Sequence, residues 1–379
     1  MSRIIIIGAL PSSLVNFREE LIKLFIANNH QVIAMASGAS KTEVDSVERL
    51  GVKYIDYSVQ RNGQNPVPDL KTLLSFIRVF KEEKPDVILA YTIKPVIWGG
   101  IAAKISPNTR FYGLVTGLGF AFQKSGLKRK LLSTIVTSLY RFALSKSTKV
   151  IFQNPDNLQV FLDKKITTQD KAARVNGSGV NLSRYVKAVP LAKKFTFLTI
   201  ARLLGEKGLR EYSAAAKVVK EQHPNVIFQM LGPEDPSPDG IPISEVNKWH
   251  NASYIEYAGE TKDVRPYLAH CHVFVLASYH EGMPRTVLEA MATGRPILTT
   301  NVPGCRETVV DGENGFLVEK QSVDQLVEKM LWFIEHRNQW QLMADKSRDM
   351  AVESFDVHAV NEQLLRIMEL DAQEKTINA

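Results

Sequence analysis

Glu281 and Glu289, with seven residues between them, sit in the segment SYHEGMPRTVLEAMATGRPILTTNVPGCRETVVDGENGFLV at residues 278–318. The apolar run Val273 to Ala277 just before it reads as a buried strand, and Pro284 opens a helical stretch that carries Glu289 on to Ala292. The carboxyl ends of parallel strands face the ligand crevice of an open α/β sheet, so Glu281 would stand where a ligand binds. Gly282 and the backbone N–H groups of Met283, Arg285 and Thr286 would line a helix N-terminus, which suits a phosphate. Glu289, two turns further on, could accept hydrogen bonds from a pair of ribose hydroxyls. The ordinary alternative makes Glu281 a solvated loop residue favourable to the helix dipole and Glu289 an exposed helix residue. Proline, glycine and two carboxylates gathered after one strand, followed by Pro303-Gly304 and Asp311-Gly312, favour the ligand.

Arg202 and Lys207, in ARLLGEKG at 201–208, are five apart across a glycine-containing turn. They can converge on a diphosphate and offset charge developing on a leaving group. A merely solvated basic loop is the alternative. Gly8, in IGALPSS at 7–13, lets backbone approach a ligand closely, and the serines offer a helix entry to an anion. Neither this segment nor Gly113, Gly117 and Gly119 of GLVTGLGFAF forms a dinucleotide fingerprint. His270-Cys271-His272 has one-apart spacing that splays its ligands, and no second Cys/His group answers it. Walker A, HExxH, GxSxG and Asp-x-Asp motifs are missing from the sequence, so chemistry without a metal or cofactor is expected.

The elements that must hold these residues alternate strand and helix. Ile4–Ile7, Gln31–Ala36, Val52–Ile55, Val87–Tyr91, Phe111–Val115 and Val150–Gln153 read as strands, then the pattern restarts with Phe195–Ile200, Val226–Leu231, Tyr254–Tyr257, Val273–Ala277, Ile297–Thr300 and Gly315–Val318. Leu14, Phe17, Leu21 and Leu24 give the first helix its apolar face, with Ser12 or Ser13 as its cap. The pattern implies α/β architecture with parallel sheets covered on both faces. A chain of 379 residues exceeds one core, so two domains with a cleft between them are expected. The proline- and lysine-bearing seam at Arg184–Lys194 places the limits at 1–186, 187–355 and 356–379, the last a helix that could cross back to the first domain.

The start, MSRIIIIGALP, reads as a strand rather than a signal peptide, and no apolar run reaches the roughly 18 residues of a membrane span. Two cysteines, Cys271 and Cys305, in a chain that needs no staples favour a reducing compartment and a cytoplasmic protein. The net charge of +7 is uneven: no acidic residue lies between Asp86 and Asp156, an interval with Lys94, Lys104, Arg110, Lys124, Lys128, Arg129, Lys130, Arg141, Lys146 and Lys149. Such a stretch could attract nucleic acid, anionic lipid or a phosphorylated substrate. Within it, a helix over Leu127–Ser145 carries Leu131, Leu132, Ile135, Leu139 and Phe142 along one side. It could lie in lipid headgroups or pack on its own sheet.

The block from Glu281 to Val318 resembles the signature of glycosyltransferase family 4, retaining enzymes of the GT-B fold, and the likeness spans nearly the whole chain. The resemblance implies two Rossmann-like domains facing each other across a cleft, with donor binding in the second. It gives Glu281 the donor sugar, Glu289 the ribose, and Arg202 and Lys207 the departing diphosphate. It places Thr261, Lys262 and Val264, in the turn 259–264, near the base, Gly232-Pro233 beside them, and the Gly8 loop close to the diphosphate and sugar. Thr92 and Lys94 of AYTIKP and the Gly117 loop would shape the acceptor pocket, with Asn16 as a further contact. Several relatives carry a histidine near Tyr91–Lys94; this chain has none there.

The implied reaction moves a hexose or N-acetylhexosamine from a nucleotide sugar, with UDP favoured, to a polyprenyl-diphosphate-linked saccharide in O-antigen or capsule assembly. The protein would then lie peripherally on the inner face of the cytoplasmic membrane, held to anionic lipid by the basic stretch 124–149. A sugar-nucleotide 2-epimerase of the same fold, a relative with a soluble acceptor, and a non-catalytic nucleotide-sugar module stay open. Nucleic acid is disfavoured because aromatic stacking residues are not interleaved with the charges.

Overall fold

Ile4, Ile5, Ile6 and Ile7 are all fully buried in the computed structural model, as befits a parallel strand covered on both faces. The structure describes residues 1–59, 66–119, 122, 127–190 and 193–371. Its contacts divide the chain into two units, Met1–Ser178 with His358–Ala379, and Gly179–Val357.

The first unit runs β1 (Arg3–Ile7), α1 (Pro11–Ala27), β2 (Gln31–Ala36), α2 (Lys41–Glu48), β3 (Lys53–Asp56), α3 (Pro66–Glu83), β4 (Val87–Tyr91), α4 (Ile93–Ala103), β5 (Arg110–Val115), α5 (Leu127–Leu144), β6 (Lys149–Phe152), α6 (Pro155–Asp163) and β7 (Ala172–Arg174). Its strands form one sheet in the order β3-β2-β1-β4-β5-β6-β7. The edge strand β7 has no apolar run to announce it: Ala172, Ala173 and Arg174 pair with β6 and stay partly or fully exposed.

Two sequence expectations change here. The cap of α1 is neither Ser12 nor Ser13. Leu10 occupies that position and Pro11 opens the helix, its fixed φ suiting the first turn. Ser13 instead turns its buried hydroxyl to the Leu10 carbonyl at 2.6 Å and the Tyr91 hydroxyl at 2.7 Å. The buried face of α1 is Leu14, Arg18, Leu21, Ile22 and Phe25, while Phe17 is exposed.

The packing face of α5 also differs from the expected stripe. Val136, Leu139, Tyr140 and Leu144 pack on the sheet, whereas Leu131, Ile135 and Phe142 are 64%, 49% and 58% exposed. Four-residue steps from Val136 through Tyr140 to Leu144 point one row inward and leave the 131, 135, 142 row outside.

The second unit runs β8 (Thr196–Ile200), α7 (Leu209–Gln222), β9 (Ile227–Leu231), α8 (Ile243–Asn251), β10 (Glu256–Tyr257), α9 (Arg265–His270), β11 (Val273–Leu276), α10 (Arg285–Ala292), β12 (Ile297–Thr300), β13 (Gly315–Val318), α11 (Val323–Glu335) and α12 (Arg337–Ser354). Its sheet order is β10-β9-β8-β11-β12-β13. After α12 comes α13 (Val357–Ile367). Val360, Leu364, Leu365, Met368 and Leu370 join the core of the first unit, and the Tyr112 hydroxyl donates to the Met368 carbonyl at 2.9 Å.

Both sheets reverse their direction of winding once: between β1 and β4 in the first and between β8 and β11 in the second. Loops leaving the carboxyl ends of such a strand pair diverge, and the opening between them is where open α/β sheets bind ligands.

Candidate active site

At the second reversal, the loop after β8 carries Arg202 and Lys207, and the loop after β11 carries Glu281. The two loops are laced together: Tyr279 N–H donates to the Glu206 carbonyl at 2.8 Å and the Ser278 hydroxyl to the same oxygen at 3.2 Å. Gly208, at φ +68°, makes the approach possible, because a Cβ there would lie 2.0 Å from the Ala277 carbonyl oxygen. The result is an ion pair between Lys207 Nζ and Glu281 Oε1 at 2.6 Å, each side chain 15% exposed. Glu281 is fixed from below as well, its N–H donating to the Pro303 carbonyl at 3.0 Å. Burial, with the charge of Glu281 second, pushes the nearby Cys305 thiol up to about 12, so it stays protonated.

Arg202 turns elsewhere, to Asp235 in the loop after β9. That loop wraps the basic one. Leu203 N–H donates to the Pro233 carbonyl at 2.9 Å, Gly205 N–H to the Asp239 carbonyl at 2.9 Å, and Glu206 N–H to Asp239 Oδ2 at 2.8 Å. Gly232 and Pro233 therefore position the cationic loop through backbone, and a Cβ on Gly232 would fall 1.7 Å from the Ala201 carbonyl oxygen. Beside them opens a cavity of about 370 Å³ lined by Glu234, Asp235, Pro236, Ser237, Gly240, Ile241 and Pro242. The carboxyl group of Asp235 lies below its ordinary range: burial opposes this, but the Ser237 hydrogen bonds and Arg202 together outweigh it.

Gly232 N–H donates to the Gly259 carbonyl at 3.0 Å, which brings the turn 259–264 to the same edge. In that turn the Thr261 hydroxyl oxygen accepts from Asp263 N–H at 3.1 Å, Lys262 is exposed, and Val264 packs on the core. Gly282 and Pro284 are buried, Met283 packs on the core, and the Pro284 carbonyl accepts from Val287 and Leu288, closing the first turn of α10 after Arg285 and Thr286.

Glu289 is 6% exposed, so the exposed-helix alternative for it does not hold. Its Oε1 accepts from the Tyr185 hydroxyl at 2.8 Å and from Arg285 Nε at 2.9 Å. Burial, then the charge of Glu289, pushes the Tyr185 phenol well above its ordinary range.

The first unit has its own set. A Cβ on Gly8 would meet the Tyr91 hydroxyl at 2.2 Å, and the Tyr57 hydroxyl donates to the Gly8 carbonyl at 2.7 Å. Thr92, between β4 and α4, has φ +68° and ψ 164°, a strained conformation for a branched residue, and its buried Oγ1 has no hydrogen-bond partner. Lys94 pairs with Asp69 of α3 at 2.7 Å, both largely buried. Asn16 is exposed, and space around Gly117 is open to a Cβ. Lys124 and the side chains of Lys128, Arg129 and Lys130 lie outside the described residues.

Three polar partners were not anticipated. Asp235 had a signal, since PEDPSPD places three acids opposite ARLLGEK. Asp69 and Tyr185 had none, because each meets its partner only through the fold.

Residues 185–350 match the model of glycosyl transferases group 1, and residues 13–154 that of glycosyl transferase 4-like proteins. The chain is 26% identical over 369 residues to the N,N'-diacetylbacillosaminyl-diphospho-undecaprenol alpha-1,3-N-acetylgalactosaminyltransferase of Campylobacter jejuni, covering 94% of this chain and 95% of the relative. It is also 26% identical over 304 residues to the UDP-Gal:alpha-D-GlcNAc-diphosphoundecaprenol alpha-1,3-galactosyltransferase of Escherichia coli, covering 77% of each. Among solved structures, Anabaena HepE in complex with UDP and glucose superposes with a TM-score of 0.79, covering 97% of this chain and 100% of HepE at 17% identity. The shared architecture is GT-B.

Proposed function

Since residues 185–350 match glycosyl transferases group 1 and residues 13–154 glycosyl transferase 4-like proteins, we propose that the chain moves a hexose or N-acetylhexosamine from a UDP-sugar to a polyprenyl-diphosphate-linked saccharide. The observation that carries this reading is the Lys207–Glu281 pair at the reversal point of the second sheet. It puts a cation for a leaving diphosphate and an acceptor for sugar hydroxyls within one hydrogen bond of each other. The names of the Campylobacter and Escherichia relatives support the lipid-linked acceptor, and UDP in HepE supports the base.

In this reaction the acceptor hydroxyl attacks the anomeric carbon on the face the diphosphate leaves. The bond from that carbon to the phosphate oxygen breaks, and this oxygen takes the acceptor proton, so configuration is retained. Arg202, Lys207 and the amides of Met283, Arg285 and Thr286 offset the charge gathering on the diphosphate. Glu281 orients the sugar and Glu289 the ribose. Thr261, Lys262 and Val264 border the base, with Gly232, Pro233, Gly282 and Pro284 supplying close backbone. Thr92, Lys94, Asn16 and the Gly117 loop serve the acceptor, which gives the first domain acceptor binding and the second donor binding.

No described helix is long and apolar enough to cross a membrane. We place the protein peripherally on the inner face of the cytoplasmic membrane. The exposed Leu131, Ile135 and Phe142 support this, as does the acid-free stretch around them.

Thermal-shift comparison of UDP, GDP, ADP and dTDP tests the reading, followed by transfer to lipid-diphosphate acceptors in neutral and anionic vesicles. UDP at a hundredfold excess over its Kd is expected to raise the Tm by roughly 5 °C, and anionic vesicles to speed transfer. If no nucleotide raises the Tm the reading fails, and complete turnover of UDP-sugar without acceptor would favour the epimerase.

A further inference from the structure

Tyr185 lies 104 positions before Glu289 in sequence, yet its hydroxyl is bonded to that carboxylate, and nothing in the reaction above uses it. The residue is 5% exposed, and its ring packs in the core cluster that includes Val287, Leu288 and Met291 of α10. Its backbone is held on both sides: its N–H donates to the Asn181 carbonyl at 3.0 Å, and its carbonyl accepts from Arg348 Nη1 at 2.9 Å. Arg348 also donates to the Ala292 carbonyl at 2.5 Å, at the end of α10. The phenol is thus locked to the helix that carries Glu289 and cannot swing away from it.

Both bonds recorded for the Glu289 side chain end on one oxygen. Tyr185 Oη and Arg285 Nε donate to Oε1 at 2.8 and 2.9 Å. A carboxylate with one oxygen clamped from two directions has a fixed plane and presents the other to a ligand. Arg285 alone would not fix that plane, because it comes from the same helix one turn earlier on a side chain with four flexible torsions.

Resting on the assignment of Glu289 to the ribose, we infer that Tyr185 is a positioning residue that sets the Glu289 carboxylate so that Oε2 accepts from a ribose hydroxyl, and so makes the enzyme discriminate ribonucleotide from deoxyribonucleotide donors. The group recognised is a vicinal diol. Removing the phenol hydroxyl keeps the negative charge but lets the carboxylate rotate, so affinity is lost only where both hydroxyls are present.

The test uses the full chain with Tyr185→Phe, which keeps the packed ring. Binding of UDP and of 2'-deoxy-UDP is measured by calorimetry, alongside kcat and KM for the UDP-sugar. The expected result is a roughly tenfold weaker Kd for UDP, as for loss of one hydrogen bond to a charged group. The Kd for 2'-deoxy-UDP should be unchanged, KM for the donor raised, and kcat at saturation kept within about twofold. Equal weakening of both nucleotides would show a merely structural role, and unchanged UDP affinity would also overturn the inference. Glu289→Gln separates the underlying assignment. If it lowers the preference for UDP over 2'-deoxy-UDP while Tyr185→Phe does not, only the role of Tyr185 falls. If neither variant changes that preference, the ribose assignment falls with it.

Discussion

The two sheets reverse at the same topological place and fill it with different chemistry. Between β8 and β11 the loops bring charges together: Lys207 with Glu281, and Arg202 with Asp235 from the neighbouring loop. Between β1 and β4 the loops bring phenols and hydroxyls together: Tyr57 on the Gly8 carbonyl, Tyr91 on Ser13, and the Arg18 guanidinium 5.0 Å over the Tyr91 ring. Burial pushes the Tyr91 phenol up to about 12, so it stays protonated at any physiological pH. Glycine serves opposite ends at the two places. Gly208 lets two backbones meet around a charged pair, whereas the space a Cβ of Gly8 would take is filled by the Tyr91 hydroxyl. Topology thus supplies an opening, and the side chains decide what it holds.

The sharpest way to break this contrast is at the charged end. Lys207→Ala should lower kcat for transfer by roughly 10²- to 10³-fold in single-turnover assays, as removal of one preorganised donor to a developing charge does elsewhere. A loss below about tenfold would remove Lys207 from the chemistry. A smaller and different effect is expected at the opening between β1 and β4. Thr92→Gly relieves the positive-φ strain, so the Tm should not fall although a side chain is lost, while KM for the lipid-linked acceptor rises about tenfold. UDP affinity should stay as in the parent protein; a parallel loss of UDP binding would collapse the division between the two regions.

The weakest effect is expected at the end of β11 opposite Glu281. His272 is stacked on Phe195 at 4.7 Å, accepts from Thr196 N–H at 3.2 Å, and is pushed by burial from 6.5 down to about 4. It is neutral in the fold, and the unfolded chain takes up its proton first as pH drops. Stability should therefore decline between pH 6.5 and 4. The urea midpoint of His272→Gln should fall less over that window than that of the parent. Equal slopes would assign the acid sensitivity to other groups.

Much of the second domain was legible because its signals are local. The block after β11 joins apolar strand, polar loop and proline-opened helix within twenty residues of sequence, as a roughly 3.6-residue period and a turn composition reveal. Asp235 was half-legible, as a run of acids following a glycine. The first domain reads less well. In α5 the expected Leu139 does pack on the sheet, but packing alone decides that Val136 and Tyr140 join it while Leu131, Ile135 and Phe142 stay exposed.

By itself, the sequence determined the alternation of strand and helix, the place of the candidate carboxylates at a strand end and their likeness to a glycosyltransferase signature. All of these depend on residues near one another in the chain. Tertiary structure decided which charges neutralise each other, Lys207 with Glu281, Arg202 with Asp235 and Lys94 with Asp69, and that the Tyr185 phenol donates to Glu289. It decided that Glu289 is buried rather than solvated. Such pairings follow from strand order and loop register, which bring together residues tens of positions apart, and no local period encodes them.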